Sequence, residues 1–444
     1  MKYFGTDGIR MAAELFTTEF LQKVVAGLAK YGSETVGADF RVLIGGDTRE
    51  SSEWILQDLG SALESLGIEY GCVGVLPTPA INYCFYEMGF DFAIDVTASH
   101  NPYIDNGIKI FERGEKSGEK LCEKGCKIIE AIIENSEKLK KTGTSLREDL
   151  HDEAIKLYRQ HLISYVGKMD FSSLRIGMDC ANGATSVINK TALESLGANV
   201  VLINSDEKYG RKINANCGST HIEELQKLVV REKLDFGVAF DGDGDRSLFV
   251  DCRGEVVDGD QVIAIVAKAR SLKKVVATVM ANQGLIEWAK QAGVDLEVTA
   301  VGDHNVALKM SEKNISVGGE QNGHTILPGM TGGDGLLTAM EITRIIAQSC
   351  KKLDELAKIV IRMPQIIVNI EATGEMKAKF NDGAADVLVE KYSKELSKMR
   401  GRVLVRPSGT EKLIRITMWG DDEEKISQEA SALAEELKII LEEK

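Results

Sequence analysis

Three aspartates alternate with glycines in Asp241-Gly242-Asp243-Gly244-Asp245-Arg246, directly after the apolar run Phe236-Gly237-Val238-Ala239-Phe240. In extended backbone, residues i, i+2 and i+4 face one way, so this spacing predicts three converging carboxylates. Such a cluster is costly unless a cation neutralises it. All-oxygen ligands suit Mg²⁺, which takes phosphate as a further ligand. An EF-hand fails, because its sixth position would be Arg246 rather than Gly and its twelfth Cys252 rather than Glu. A plain Asp-Gly turn is the alternative without chemistry.

Three further polar loops carry candidate groups. Thr97-Ala98-Ser99-His100-Asn101-Pro102 follows the apolar run Phe92–Val96. Ser99 then stands at the carboxyl end of a strand, where open α/β sheets bind ligands. The Gly-x-Ser-x-Gly elbow of serine hydrolases is absent, and a Ser/Asn/Pro-rich turn is the alternative. Lys109 follows on a short alternating strand, Ile108-Lys109-Ile110-Phe111. In Gly318-Gly319-Glu320-Gln321-Asn322-Gly323-His324, a carboxylate, two amides and an imidazole suit sugar hydroxyls, or merely form a polar loop. In Arg406-Pro407-Ser408-Gly409-Thr410-Glu411, with Arg415 beyond, arginines and hydroxyls flank a glycine, a pattern that suits phosphate oxygens. No Walker-type loop exists, so nucleotide hydrolysis has no support.

These loops need strands and helices to hold them. Val42–Ile44, Phe92–Val96, Arg175–Asp179 and Lys274–Thr278 read as strands that each lead into a polar loop, and the strand–loop–helix alternation predicts α/β layers. The 444 residues allow several domains. The charged stretch 134–152 reads as a first linker, a second border is expected within 247–259, and a third near Pro364. The last ~80 residues read as a small α+β domain ending in an acidic helix. A net charge of −14 argues against a general nucleic-acid binder, although a local basic pocket can still hold an anion. No apolar stretch is long enough to span a bilayer, no signal-peptide core opens the chain, and the eight cysteines are scattered. The chain is therefore expected to work in the cytoplasm.

In order and spacing, the four loops together resemble the α-D-phosphohexomutase superfamily, and Phe4-Gly5-Thr6-Asp7-Gly8-Ile9-Arg10 resembles the opening of its bacterial phosphoglucosamine-mutase branch. The resemblance implies four domains around a central cleft: 1–150 with the phosphoserine loop, 151–252 with the metal loop, 253–363 with the sugar loop, and 364–444 as a mobile C-terminal α+β domain. The first three are α/β three-layer units. It implies that Ser99 carries phosphate and binds Mg²⁺ with Asp241, Asp243 and Asp245, and that a sugar 1,6-bisphosphate primes the reaction. Arg10 and His100 would support the phosphoserine. Lys109 would be the general base, which requires nearby cations or burial to lower its ordinary value near ~10.4. Arg246, Glu320, Asn322 and His324 would hold the sugar, while Arg406, Ser408, Gly409, Thr410 and Arg415 would hold the non-reacting phosphate.

Within this family the sugar loop tracks substrate, and Gln321 and Asn322 both lean toward amino sugars. The activity implied is interconversion of glucosamine 6-phosphate and glucosamine 1-phosphate. Met11, His304-Asn305 and Lys412 depart from the family's usual Gly, Arg-Tyr and Pro and bear on fine specificity. The rivals are a phosphoglucomutase/phosphomannomutase, an aspartyl-phosphate phosphatase built on Asp241-Gly242-Asp243, and an inactive phosphosugar-binding protein. The expected partner is a small phosphosugar, with a second copy of this chain admitted and neither nucleic acid nor membrane.

Overall fold

Along the strands Val42–Gly46 and Phe92–Val96, alternate residues enter different cores: Leu43 and Ala93 on one side, Val42, Ile44, Phe92, Ile94 and Val96 on the other. A strand apolar on both faces must be covered on both, which dictates a three-layer unit. Helices Thr18–Thr35, Glu50–Leu66 and Glu123–Glu134 supply one cover through Leu21, Leu59 and Ile129. Thr78–Glu87 and His151–Val166 supply the other through Ile81, Phe85 and Tyr158. In the computed structural model every residue is described except 6, 116, 136–146, 207, 209, 399, 409–411 and 443–444, and the side chains of 189 and 190.

The first sheet has eight strands, paired in the order Phe4–Gly5, Gly8–Ala12, Asp105–Arg113, Phe92–Val96, Val42–Gly46, Tyr70–Val75 and Arg147–Asp149, with Gly118–Lys120 added to Asp105–Arg113. Arg147–Asp149 corrects the expected linker: part of 134–152 is a parallel edge strand on Tyr70–Val75, followed at once by a helix. Residues 136–146 of that stretch lie outside the described residues. The second sheet orders Asn199–Ile203, Arg175–Asp179, Phe236–Phe240, Ser247–Asp251 and Val256–Val257. Its last strand lies beyond the border expected at 252, because Val250 and Val256 pair. The third sheet has four strands, Asp295–Thr299, Lys274–Thr278, Gly318–Gly319 and Thr325–Ile326.

One apolar core, from Leu43 through Val238 and Val275 to Leu337, joins these three units. The three-stranded antiparallel sheet of Gln365–Glu371, Leu413–Trp419 and Arg402–Pro407 instead packs on its own helices, with a separate core around Ile416 and Leu433. Polar contacts tie the C-terminal unit to the third: Arg402 donates to the Ala281 carbonyl, and Arg400 pairs with Glu287. Asn282 receives the Met363 N–H and donates to its carbonyl, both at 2.9 Å, beside the chain crossover.

Candidate active site

Gly46 and Val96 are paired in parallel register, so the loops after them leave the sheet side by side. Ser99 is fully buried with φ of 51°, a left-handed conformation rare for a non-glycine residue. Its amide donates to Thr97 Oγ1 at 2.9 Å, and Thr97 donates to Asp47 at 2.7 Å. The loop turns the Ser99 hydroxyl toward the second unit, where it donates to Asp241 Oδ2 at 2.8 Å. His100 Nδ1 lies 3.3 Å from Ser99 Oγ. Burial, then Arg246 and Arg10, push the His100 imidazole down to about 4, so it is neutral at physiological pH.

The aspartates converge for a different reason than alternation. Phe240 pairs with Ser247 across an antiparallel hairpin, and residues 241–246 are its tight turn. The Gly244 amide closes on the Asp241 carbonyl at 3.1 Å, with Gly244 at φ of 72°. One carboxylate oxygen from each of Asp241, Asp243 and Asp245 then lies within 4.8 Å of the others. Gly242 is needed for close approach: a Cβ there would sit 2.6 Å from the Ser99 carbonyl oxygen. Burial, reinforced by Asp245 and Asp243, drives Asp241 well above the usual carboxylate range. Asp243 Oδ1 and Asp245 Oδ1 are buried and lack a hydrogen-bond partner among the described residues. An all-oxygen donor set with orphaned buried oxygens fits a hard divalent cation such as Mg²⁺.

Lys109, 3% exposed, reaches this cluster from Asp105–Arg113, with Nζ 2.7 Å from Asp243, 3.2 Å from Asp245 and 3.3 Å from Asp7. The expected downward shift is reversed. Burial pulls the ammonium down, but Asp243, Asp7 and Asp245 outweigh it and hold Lys109 well above its ordinary value. Against its own burial, Asp245 is drawn to about 2 by Lys109, His324 and Arg246. Arg246 is largely buried, with Nε 3.8 Å from Asp241 and 3.9 Å from Asp245.

The sugar loop adjoins the metal loop, since Arg246 bridges to His324 and the Ser247 amide donates to the Gly323 carbonyl. Glu320, 8% exposed, accepts from the Gly302 amide at 3.0 Å. His324 lies 3.7 Å from Asp303. Asn322 is exposed. Gln321 is half-buried, and its amide nitrogen donates to Asp258 at 3.2 Å. Three residues outside the expected site complete the floor. Lys120 joins Asp7 (2.6 Å) to Asp303 (2.5 Å), and Arg10 also pairs with Asp7. Asp7 is legible in the sequence only as part of the opening motif, and Lys120 and Asp303 carry no local signal.

In the C-terminal unit, Arg406 and Arg415 stand directly opposite on paired strands. Like charges in that register repel unless an anion joins them. Burial and then Arg415 lower the Arg406 guanidinium, while Glu320 across the cleft opposes this. Arg406 Nε is buried without a partner among the described residues, and Ser408 is buried beside it. Gly409, Thr410 and Glu411 lie outside the described residues.

Four family profiles of the phosphoglucomutase/phosphomannomutase group match in order: alpha/beta/alpha domain I at residues 1–140, domain II at 156–254, domain III at 258–363 and the C-terminal domain at 366–436. The chain is 41% identical to a phosphoglucosamine mutase of Caldicellulosiruptor bescii, covering 98% of both chains. It is 40% identical to one of Deinococcus deserti, covering 98% of this chain and 97% of that one. Among solved structures, a phosphoglucomutase/phosphomannomutase family protein from Burkholderia thailandensis superposes with a TM-score of 0.75 at 19% identity, over 99% of this chain and 97% of that one. N-acetylphosphoglucosamine mutase of Aspergillus fumigatus, solved with GlcNAc-6P and magnesium, gives 0.64 at 16%, over 99% and 96%.

Proposed function

We propose that this chain, which belongs to the phosphoglucomutase/phosphomannomutase family, interconverts glucosamine 6-phosphate and glucosamine 1-phosphate through a phosphoryl group carried on Ser99. The observation that carries this reading is Ser99 Oγ set 2.8 Å from Asp241 within a buried carboxylate triad. Full-length relatives at about 40% identity, named phosphoglucosamine mutases, supply the sugar.

Asp241, Asp243, Asp245 and the Ser99 phosphate would hold one Mg²⁺, which when bound neutralises carboxylate charge and polarises phosphoryl oxygens. Phosphoryl transfer needs positioning and charge neutralisation more than covalent help. The Ser99 Oγ–P bond breaks as a free sugar hydroxyl bonds to phosphorus, giving a sugar 1,6-bisphosphate. That intermediate turns over in the cleft and returns its other phosphoryl group to Ser99; a free bisphosphate loads Ser99 for the first turnover. Lys109 is our candidate to take the proton of the attacking hydroxyl and pass it to the departing oxygen, Ser99 Oγ in the first transfer and the sugar oxygen in the second. Asp243, Asp7 and Asp245 hold its proton in the metal-free protein, and Nζ becomes a base once those charges are engaged elsewhere.

Arg10 and His100 brace the phosphoserine. Arg246, Glu320, Asn322 and His324 face the ring, and the Glu320 carboxylate is the group suited to pair the C2 ammonium of an amino sugar. Arg406, Ser408, Gly409, Thr410 and Arg415 form the seat for the non-reacting phosphate. No helix among the described residues is long and apolar enough to cross a membrane, and we assign the enzyme to the cytoplasm.

Intact-mass and peptide spectrometry should find phosphate on Ser99, and Ser99→Ala should be inactive. A steady-state panel on glucosamine, N-acetylglucosamine, glucose and mannose phosphates should rank glucosamine first by kcat/KM. Phosphate on Asp241 with Ser99→Ala fully active would overturn the mutase mechanism. A clear preference for glucose or mannose phosphate would overturn the sugar.

A further inference from the structure

Ser99 holds a left-handed backbone conformation, which a non-glycine residue keeps only where its surroundings over-determine it. Its carbonyl shows what does so. Arg49, 2% exposed, donates from Nη2 to the Ser99 carbonyl at 2.9 Å and to the Asn101 carbonyl at 2.8 Å. Its Nη1 donates to the Pro102 carbonyl at 2.5 Å and the Asp105 carbonyl at 3.1 Å, and its Nε to Asp47 at 2.9 Å. All five N–H groups of the guanidinium are therefore spent on this loop and its neighbour Asp47.

A second donor comes from the other unit. Asn214 Nδ2 donates to the same two carbonyls, Ser99 at 2.9 Å and Asn101 at 3.2 Å. Both partners are carbonyl oxygens, so only the amide nitrogen can face them, which settles the orientation of the side chain. Asn214 is itself left-handed, with φ of 57°, and its own amide donates to the Ala181 carbonyl at 2.9 Å. The Gly242 backbone of the metal loop fills the space between, since a Cβ there would lie 2.8 Å from Asn214 Nδ2. Two carbonyls thus receive one N–H each from either side of the border between the phosphoserine unit and the metal unit.

We propose that Asn214, acting with Arg49, is a positioning residue for phosphoryl transfer. This clasp registers Ser99 Oγ against the aspartate triad, and the inference rests on Ser99 being the phosphoryl carrier. Arg49 orders the loop within its own unit. Asn214 ties that loop to the unit that holds the triad, so its loss frees the relative position of nucleophile and metal ligands without emptying a core. A misplacement of about 1 Å costs catalysis about 100-fold.

The test uses the full-length enzyme with Mg²⁺ and a sugar 1,6-bisphosphate. Asn214→Gly keeps the left-handed backbone and removes the donor. Asn214→Asp keeps shape and backbone and turns the donor into an acceptor. Asn216→Gly, an exposed left-handed neighbour, is the control. We expect kcat to fall about 10- to 100-fold in both Asn214 variants. KM for the phosphosugar should stay within about twofold and the melting temperature near wild type, while Asn216→Gly keeps wild-type kinetics. Unchanged kcat in Asn214→Gly, beside a wild type with phosphorylated Ser99, overturns the clasp alone. A fall in kcat that only mirrors a collapse of the melting temperature in both variants overturns it too. A wild type active without phosphate on Ser99 overturns the proposed function and the clasp together.

Discussion

Lys109→Met removes a buried ammonium from among three carboxylates and leaves the side-chain volume nearly unchanged. The distances are 2.7 Å to Asp243, 3.2 Å to Asp245 and 3.3 Å to Asp7, with the lysine 3% exposed. Breaking a buried ion pair from one side costs about 3–5 kcal/mol, because the remaining charge is left uncompensated. Lys109 is held above its unfolded value, so this contribution is fully present at neutral pH and fades only as pH rises through the raised value. At roughly 2–4 °C per kcal/mol for a unit of ~150–250 residues, and less for the larger shared core here, melting in chelator should fall by ~5–10 °C.

Magnesium must then act unequally on the two proteins. In the variant no ammonium competes for Asp243 and Asp245, so the cation binds more tightly and restores part of the lost charge balance. Metal at about 100 times its Kd contributes ~2.7 kcal/mol, so the gap in melting temperature should close by about half or more. Differential scanning calorimetry of both proteins, in chelator and in a Mg²⁺ titration, measures this, and kcat should fall by orders of magnitude throughout. Equal melting temperatures in chelator, or a deficit that Mg²⁺ leaves untouched, would refute the charge balance drawn here.

Gly242→Ala places a Cβ 2.6 Å from the Ser99 carbonyl and should lower kcat about 100-fold while the fold persists, read by kinetics beside circular dichroism. Arg406→Ala should raise KM for the phosphosugar at least ~10-fold with kcat nearly kept. It also relieves the repulsion of Arg415, so melting should not fall; an unchanged KM would remove this pair from the site. Asp334 is buried, which raises its carboxyl to about 6 despite bonds from the Leu337 amide and Tyr158. A raised folded value means stability is lost as pH rises from about 4 to about 6, on the order of 3 kcal/mol. Asp334→Asn keeps the cap and should flatten melting temperature across that window, whereas parallel pH curves for the two proteins would refute this.

Much was readable along the chain because it is local. Val42–Ile44, Phe92–Val96, Arg175–Asp179 and Lys274–Thr278 are strands as their β-branched and apolar runs predict, and all three carboxylates of the triad fall within one turn of six residues. Backbone propensity and near-neighbour sterics act over such distances, so residue order carries them. The same locality misled where the turn replaced extended backbone, where Arg147–Asp149 inside the stretch read as a linker joined the first sheet, and where Val256–Val257, past residue 252, paired back onto the second.

The charge of Lys109, the occupation of Gln321 by Asp258, the facing of Arg406 against Arg415, and the joint grip of Arg49 and Asn214 on Ser99 had no local signature. Lys109 and Asp243 are 134 positions apart, and Asn214 and Ser99 are 115. Desolvation and Coulomb forces depend on distance through space, and packing of three units on one core sets those distances. Composition and order therefore told which groups the cleft would contain, while folding set which of them carry a proton, which are already spent on one another, and which remain to meet a phosphosugar.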